Sequence, residues 1–321
     1  MLSRVADSLY WMSRYLERAE HSSRLIDVNL NQMLETAQYA DLRWERLFRS
    51  LRLAPIESGV DEAYRVTQML TFDTTNTSSI ASCIALAREN ARQVREQISS
   101  EMWEHINKLY LQVSRTSIED IWYAQPHGFL THVREGVHLF QGITDATMNH
   151  SEGWHFIRVS RFIERASATA TLLDVYFNSL TEIQEPFSSA SLDYLSWVCL
   201  LKSCAAFESY CKVYTAQLQP ERIAEFLLLN AESPRSIRFA ASMIQSALQT
   251  IGRVTNTRSA NRVERLAGRL RAALDYDQIE EILEGSMHGY LENIQHQCRQ
   301  IHNAIYQVYI TYPIDIALAA S

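Results

Sequence analysis

The sequence predicts an all-α protein, a helical bundle made of two internally repeated halves related by a pseudo-twofold axis. Three observations lead there. Only 9 Gly and 6 Pro punctuate 321 residues, too few for the many tight turns of an all-β or doubly wound α/β fold. An apolar seam runs through Leu2, Val5, Leu9, Met12, Leu16, Ala19, Ser23, Ile26, Leu30 and Met33 in alternating steps of three and four, the spacing of a long bundle helix. Finally, "SRYLERAEHSSRLIDV" at 13–28 returns as "SRFIERASATATLLDV" at 160–175, with Ser13, Arg14, Glu17, Arg18, Ala19, Leu25, Asp27 and Val28 recurring identically.

The elements follow in order. After the first long helix, helices are expected at 41–52 and 59–71. The next keeps Ile80, Ile84, Ala87, Ala91, Val94 and Ile98 on one face and is capped by Thr77 or Ser78. Helices at 101–117 and 129–148 close the first half. Asn149 to Glu152 has capping-box spacing for the second long helix, whose seam is Phe156, Val159, Ile163, Ala166, Ala170 and Leu173. Helices at 190–216 and 220–229 lead into one with Ile237, Ala241, Ile244, Leu248 and Ile251 inward, begun by Ser233 and Pro234 as cap and first turn. Helices at 260–273 and 276–312 complete the chain, and "YPIDIALAAS" is a docking tail or a frayed end. "FDTTNTSSI" (72–80) aligns without a gap to Leu229–Ile237. The polar breaks are too short for linkers between independent domains. Two repeats, 1–150 and 151–321, are therefore expected to pack as one body.

A hydrophobic share of 47% is ample for a continuous core, and the formal charge of −7 gives no global pull toward nucleic acid or an anionic membrane. No apolar run is long enough to span a bilayer, and charges interrupt the amino-terminal segment where a signal peptide needs apolar residues, so a cytoplasmic protein is expected. Five cysteines without CxxC spacing suggest reduced, mostly packed thiols.

Glu17 and Arg18 lie on the flank of the seam, with Trp11 and Leu25 bracketing Arg18 and Tyr15 beside it, so the helix has neighbours on more than one side. A charged pair at a helix junction survives only where each charge finds partners. Under pseudo-twofold symmetry Glu17 faces Arg165 while Glu164 faces Arg18, with Arg14 and Arg161 completing the cluster. Glu20 and Arg24 have the spacing of an exposed i,i+4 pair, so Glu20→Ala is expected to be nearly neutral.

Two arginine stripes compete for attention. Arg88, Arg92 and Arg95 share a face but have Glu89 and Glu96 beside them; Arg258, Arg262, Arg265 and Arg269 have fewer acidic neighbours and are the better surface for an acidic partner. Glu135-x-x-His138 and Glu152-x-x-His155 have the spacing of di-metal bundles. They stand only 17 residues apart, however, and the second long helix has Ala168 where the first has His21, so no metal and no cofactor are expected. A G-x-S-x-G elbow, a catalytic cysteine signature and a Walker loop are all absent. The tryptophans read as core or half-buried anchors.

"YLERAEHSSRLIDV", "ARENARQVREQISSEMW", "EGWHFIRVSRFIERA" and "FLLLNAESPRSIRF", in this order, resemble the bacterial alpha-E family, an all-helical family named for its Glu-Arg motif. The resemblance runs from Met1 to about Tyr312. Its matching positions are Glu17, Arg18, Arg88, Glu89, Asn90, Arg92, Glu152, Gly153, Trp154, Glu164, Arg165, Pro234, Arg235 and Ser236; His155 after Trp154 departs from the usual pattern. Membership implies a neighbouring or fused ATP-grasp ligase-like protein and a transglutaminase-like peptidase, hence a role in forming or modifying peptide amide bonds. The expectation is a non-catalytic helical accessory subunit. On that reading Arg88, Glu89, Asn90, Arg92, Glu152, Trp154 and Arg235, with the later arginine stripe, are candidates for a ligand or partner surface. The alternative is an enzyme or small-ligand protein using a polar Glu/Arg pocket between the halves.

Overall fold

A computed structural model describes residues 1–35, 40–54, 61–124, 126–182, 190–215, 217–256 and 260–311. Every regular element among them is helical: α1 (Ser3–Glu35), α2 (Ala40–Leu51), α3 (Glu62–Thr71), α4 (Ile80–Gln93), α5 (Ser100–Ser114), α6 (Ile118–Trp122), α7 (Pro126–Thr147), α8 (Glu152–Glu182), α9 (Ala190–Ser203), α10 (Phe207–Tyr214), α11 (Pro220–Leu229), α12 (Ile237–Thr255), α13 (Ala260–Tyr276), α14 (Ile279–Glu284) and α15 (Met287–Ile305). No helix among the described residues is long and apolar enough to cross a membrane.

The two longest helices organise the rest. α1 lies against α4, α7 and α8, while α8 lies against α12, α15 and α1. α5 bridges α4 and α7, and α13 bridges α12 and α15, so two helix groups share the α1–α8 contact. The seams explain this arrangement. Leu9, Met12, Ala19, Ser23 and Ile26 of α1 are sealed from solvent, as are Phe156, Val159, Ala166, Ala170 and Leu173 of α8. Only Leu2, at the start of the α1 seam, is out in solvent, 70% exposed. One continuous core results.

Several expected helices are divided, each for a local reason. The face from Ile80 to Ile98 is buried throughout, but α4 stops at Gln93. A 3-10 turn (Arg95–Gln97) and extended Ile98 then deliver Ser99, whose side chain caps α5 by accepting from Met102 N. Arg95 therefore leaves the stripe of Arg88 and Arg92. The expected 101–117 helix ends at Ser114, and Ser117 begins α6 through a capping box with Asp120. The expected 190–216 helix breaks at Ala205, which takes a left-handed φ of 50°. In the expected 276–312 helix the chain turns at Gly285, and Ser286 caps α15. The tail from 312 onward lies outside the described residues.

Both interior caps sit later than expected. Ser79, not Thr77 or Ser78, accepts from Ser82 N at the start of α4; Ser236, not Ser233, accepts from Phe239 N at the start of α12. The physical reason is the same in each loop: an asparagine side chain turns the chain first. Asn76 Oδ1 receives Ser78 N, and Asn230 Oδ1 receives Ser233 N, leaving the next serine free to cap. At the far end of α12, Asn256 adopts the left-handed conformation of a C-cap. Gly252 admits α13, since a Cβ there would collide with the Glu264 carboxylate.

Ser79→Ala and Ser236→Ala should each lower stability by about 1 kcal/mol, read as a shift in urea midpoint at unchanged m-value. The same change at Thr77 or Ser233 should cost less than either.

Candidate functional site

The repeated Glu-Arg pairs meet where α1 crosses α8. Arg165 reaches Glu17 with two prongs, Nε to Oε1 at 2.5 Å and a terminal amino group to Oε2 at 3.0 Å. In the opposite sense, Arg18 Nε donates to Glu164 Oε1 at 2.9 Å and Arg14 Nε to Glu164 Oε2 at 2.7 Å. Each Glu-Arg dipeptide thus exchanges partners with the other. Glu17 is 2% exposed and Arg165 8%, so both charges are withdrawn from water, and only the paired geometry makes that tolerable. Gln141 from α7 adds a third donor to Glu17 at 3.2 Å.

The loop before α12 extends the cluster. Arg235 forks onto both Glu20 oxygens at 3.2 and 2.9 Å and lies 3.6 Å from Glu17 Oε1. Arg165 donates to the Pro234 carbonyl at 3.2 Å, fastening that loop to α8. Arg24 also pairs with Glu20, and His138 Nε2 lies 3.3 Å from the same carboxylate. Glu20 is 1% exposed. Its i,i+4 spacing to Arg24 is real, but the carboxylate is buried and not exposed, so Glu20→Ala is now expected to destabilise the fold and not to be nearly neutral. Its position was legible: Glu17, Glu20 and Arg24 step by three and four along one helix face.

The electrostatics follow from burial. Desolvation pushes the carboxyls of Glu17, Glu20 and Glu164 upward, yet the adjacent guanidiniums win. Arg165 holds Glu17 below the usual range, Arg235 holds Glu20 well below it, and Arg14 with Arg18 brings Glu164 down to about 2. His21, on the same stretch of α1, is pushed down to about 4 by burial and is neutral at pH 7. His302 of α15 is likewise depressed to about 4 by burial and by Arg14. Arg14 lies over the rings of Tyr10 and Trp11, and Arg18 over Tyr15. Arg14 and His302 Nδ1 lie 3.1 Å apart; since a guanidinium only donates, Nδ1 accepts and the ring proton sits on Nε2.

Other expected residues lie apart. Arg161 does not join the cluster: its Nε is buried with no partner among the described residues, and its guanidinium stacks on Phe162 beside a narrow crevice shared with Gln141, Asp145 and Arg158. Burial first, and Arg165 second, lower its pKa. Arg88 points to Asn107 (2.9 Å) and lies over Trp103 and Tyr110, while Arg92 forks onto exposed Glu89. Asn90 closes on the Leu86 carbonyl. Glu152 accepts from the Met1 amino group at 3.0 Å. Trp154 is buried rather than presented, donating to Asp145 and stacked on His150. Arg235, expected on a surface, is interior for the reason given above. Arg262, Arg265 and Arg269 are exposed on α13; Arg258 lies outside the described residues. Of the two Glu-x-x-His pairs, His138 meets the Glu20 carboxylate, but among the described residues no three His, Cys, Asp or Glu side chains converge as a metal site would need.

These features define an all-helical protein centred on exchanged Glu-Arg pairs. The chain belongs to the Alpha-E family, described as a predicted alpha-helical domain with a conserved ER motif, whose model matches residues 1–310. It is similar, at 22% identity over 95% of its length, to uncharacterized protein Mb2597 of Mycobacterium bovis and to uncharacterized proteins MT2643 and Rv2567 of Mycobacterium tuberculosis. The aligned region spans 36% of the length of each of these relatives. No solved structure matches.

Removing either buried carboxylate strands a guanidinium. Glu17→Ala and Glu20→Ala should each cost about 3–5 kcal/mol by urea denaturation, whereas Arg92→Ala, at an exposed pair, should cost under about 1 kcal/mol.

Acid should act in two stages. Because His21 and His302 stay neutral when folded, the unfolded chain binds more protons below its ordinary histidine value of 6.5, and stability falls from there toward pH 4. The depressed carboxylates contribute fully above about pH 4.5, and their share is lost as pH drops toward Glu164's value of about 2. His302→Gln should roughly halve the upper stage, leaving the share of His21, and should leave the lower stage unchanged, as followed by urea midpoints across pH 7 to 3.

Proposed function

We propose that this Alpha-E chain is a non-catalytic helical subunit that presents the arginine face of α13 to an ATP-grasp ligase-like partner acting in peptide amide-bond formation or modification. A transglutaminase-like peptidase is a second partner in the same scheme. One observation carries the reading. Arg262, Arg265 and Arg269 recur every three or four residues on one exposed face, and none has a carboxylate within ion-pair distance among the described residues. Unpaired surface guanidiniums in a chain of net charge −7 are suited to an acidic partner surface. Arg262 and Arg265 also border an open hollow with Gln249, Gln307 and Val308, giving the face relief as well as charge.

Two further points support it. The Glu-Arg pairs are engaged chiefly in fastening α1 to α8. The curated relatives carry the matching region as 36% of a longer polypeptide, the arrangement of a module that works beside others.

We also infer that residues 1–150 and 151–321 descend from one repeated unit. The exchanged ion pairs, the Ser79 and Ser236 caps in like turns, and the pairing of Asp27 with His127 and of Asp174 with His288 are all consistent with that.

Co-expression with the ATP-grasp protein encoded nearest to it should give a complex that co-elutes in size-exclusion chromatography and weakens with salt. Arg262→Glu combined with Arg265→Glu and Arg269→Glu should abolish co-elution without moving the melting temperature. Co-elution that survives the triple reversal removes α13 as the surface, and no association at all removes the partner.

A further inference from the structure

The buried network is not electrically closed. Glu17, Glu20 and Glu164 answer Arg14, Arg18, Arg24, Arg165 and Arg235, three carboxylates against five guanidiniums. Arg165 is buried and the other four keep only 13–27% of their side chains exposed, and an excess of positive charge so largely desolvated favours an anion that completes it.

A cavity lies where that excess is felt. It opens between α1, α8, the end of α9 and the loop before α12, with about 30 Å³ open to the centres of water-sized molecules. That is room for roughly two waters or one planar carboxylate head. Arg18, Arg165 and Arg235 line it against Glu17 and Glu164. With His21 neutral, the wall carries one surplus positive charge, which suits a monoanion and disfavours a dianionic phosphate.

The donors for such a group are in place. Arg18 uses Nε on Glu164, but its two terminal amino groups make no hydrogen bond among the described residues, and its side chain is 27% exposed, marking the mouth. A free guanidinium edge matches a carboxylate with two parallel bonds. Deeper in, His21 Nε2 has no hydrogen-bond partner among the described residues, and Ser203 Oγ has the Tyr176 hydroxyl as its near polar neighbour, outside ordinary hydrogen-bond geometry. Both residues line the same cavity. Unpaired buried polar atoms are uncommon, and the unpartnered His21 Nε2, with the loosely held Ser203 hydroxyl and an open arginine fork in the same cavity, points to a common acceptor.

We propose that this cavity binds the carboxylate of a small acid or of a peptide chain terminus: Arg18 grips it at the mouth through its two terminal amino groups, while His21, protonated on Nε2, and Ser203 donate from within. Binding here stands independently of any partner on α13.

The test uses the full chain at fixed ionic strength, titrated with sodium acetate, N-acetyl-dialanine, its carboxamide and inorganic phosphate. Binding is followed by calorimetry and by long-range proton–nitrogen NMR of the His21 ring. Acetate should bind and shift the His21 Nε2 resonance, with the His21 pKa rising as its ring gains an anionic partner. N-acetyl-dialanine binding where its carboxamide does not would assign a peptide terminus; binding of acetate alone would assign a small free acid. Arg18→Lys, which keeps charge but loses the fork, should weaken acetate about tenfold. Ser203→Ala, which touches no ion pair, should weaken it about fivefold at an unchanged urea midpoint. The proposal is overturned if acetate and N-acetyl-dialanine both bind no better than chloride, leaving the cavity to water alone. It is overturned equally if phosphate binds more tightly than acetate, or if Ser203→Ala and a folded Arg18→Lys both bind acetate as wild type does.

Discussion

The architecture depends on one interaction, the bidentate grip of Arg165 on Glu17. It joins the two longest helices, and through the Pro234 carbonyl it also sets the approach of the loop leading into α12. Apolar seams alone would let α1 and α8 slide past one another, since dispersion and burial are weakly directional. A desolvated fork holds one register, because any displacement leaves a carboxylate or a guanidinium unpaired away from water. The same logic explains why Gln141 of α7 also turns inward: α1 is held from two sides by a single carboxylate.

The two exchanged pairs are alike in outline and unlike in surroundings. Glu164 takes Arg14 and Arg18 from its partner helix, whereas Glu17 shares its neighbourhood with Glu20 and draws Arg235 in from a loop. Position 167 is Ser where the first copy has Glu20, and position 168 is Ala where it has His21. Arg161 is the counterpart of Arg14, but Glu17, its equivalent acceptor, is already held by Arg165, Gln141 and Arg235, and Arg161 lies over Phe162 instead. The polar centre is therefore richer on one side, and that side holds the cavity. Divergence between the copies, more than their likeness, makes room for chemistry beyond fastening.

Interior and surface charges play different roles here. Guanidiniums in the network are committed to carboxylates, aromatic faces and backbone carbonyls, the terminal amino groups of Arg18 excepted, and their energetic weight lies mainly in stability. Those of α13 are committed to nothing within the described chain, and exposed charge of that kind acts mainly on encounter rate and specificity. A subunit that separates the two in this way can present a basic face without weakening its own core.

Much of this was legible in the sequence because periodicity is a one-dimensional property. The three-and-four spacing of Leu9, Met12, Leu16 and Ile26, and of Phe156, Val159 and Leu173, determined which faces are buried; the recurrence of 13–28 at 160–175 singled out the charges that meet. Helix ends were less legible, since Ser79 and Ser236 cap only after an asparagine turn whose geometry propensity does not reveal. Glu20, Arg235 and Arg161 were misplaced for a deeper reason. Whether a charged side chain is a solvated surface group or a buried partner depends on what a distant segment places against it, and the Pro234–Ser236 loop stands more than 200 residues from Glu20. Local pattern sets which side of a helix faces inward, but only the tertiary structure decides which charges share that interior, because pairing energy depends on distance in space and on exclusion of water.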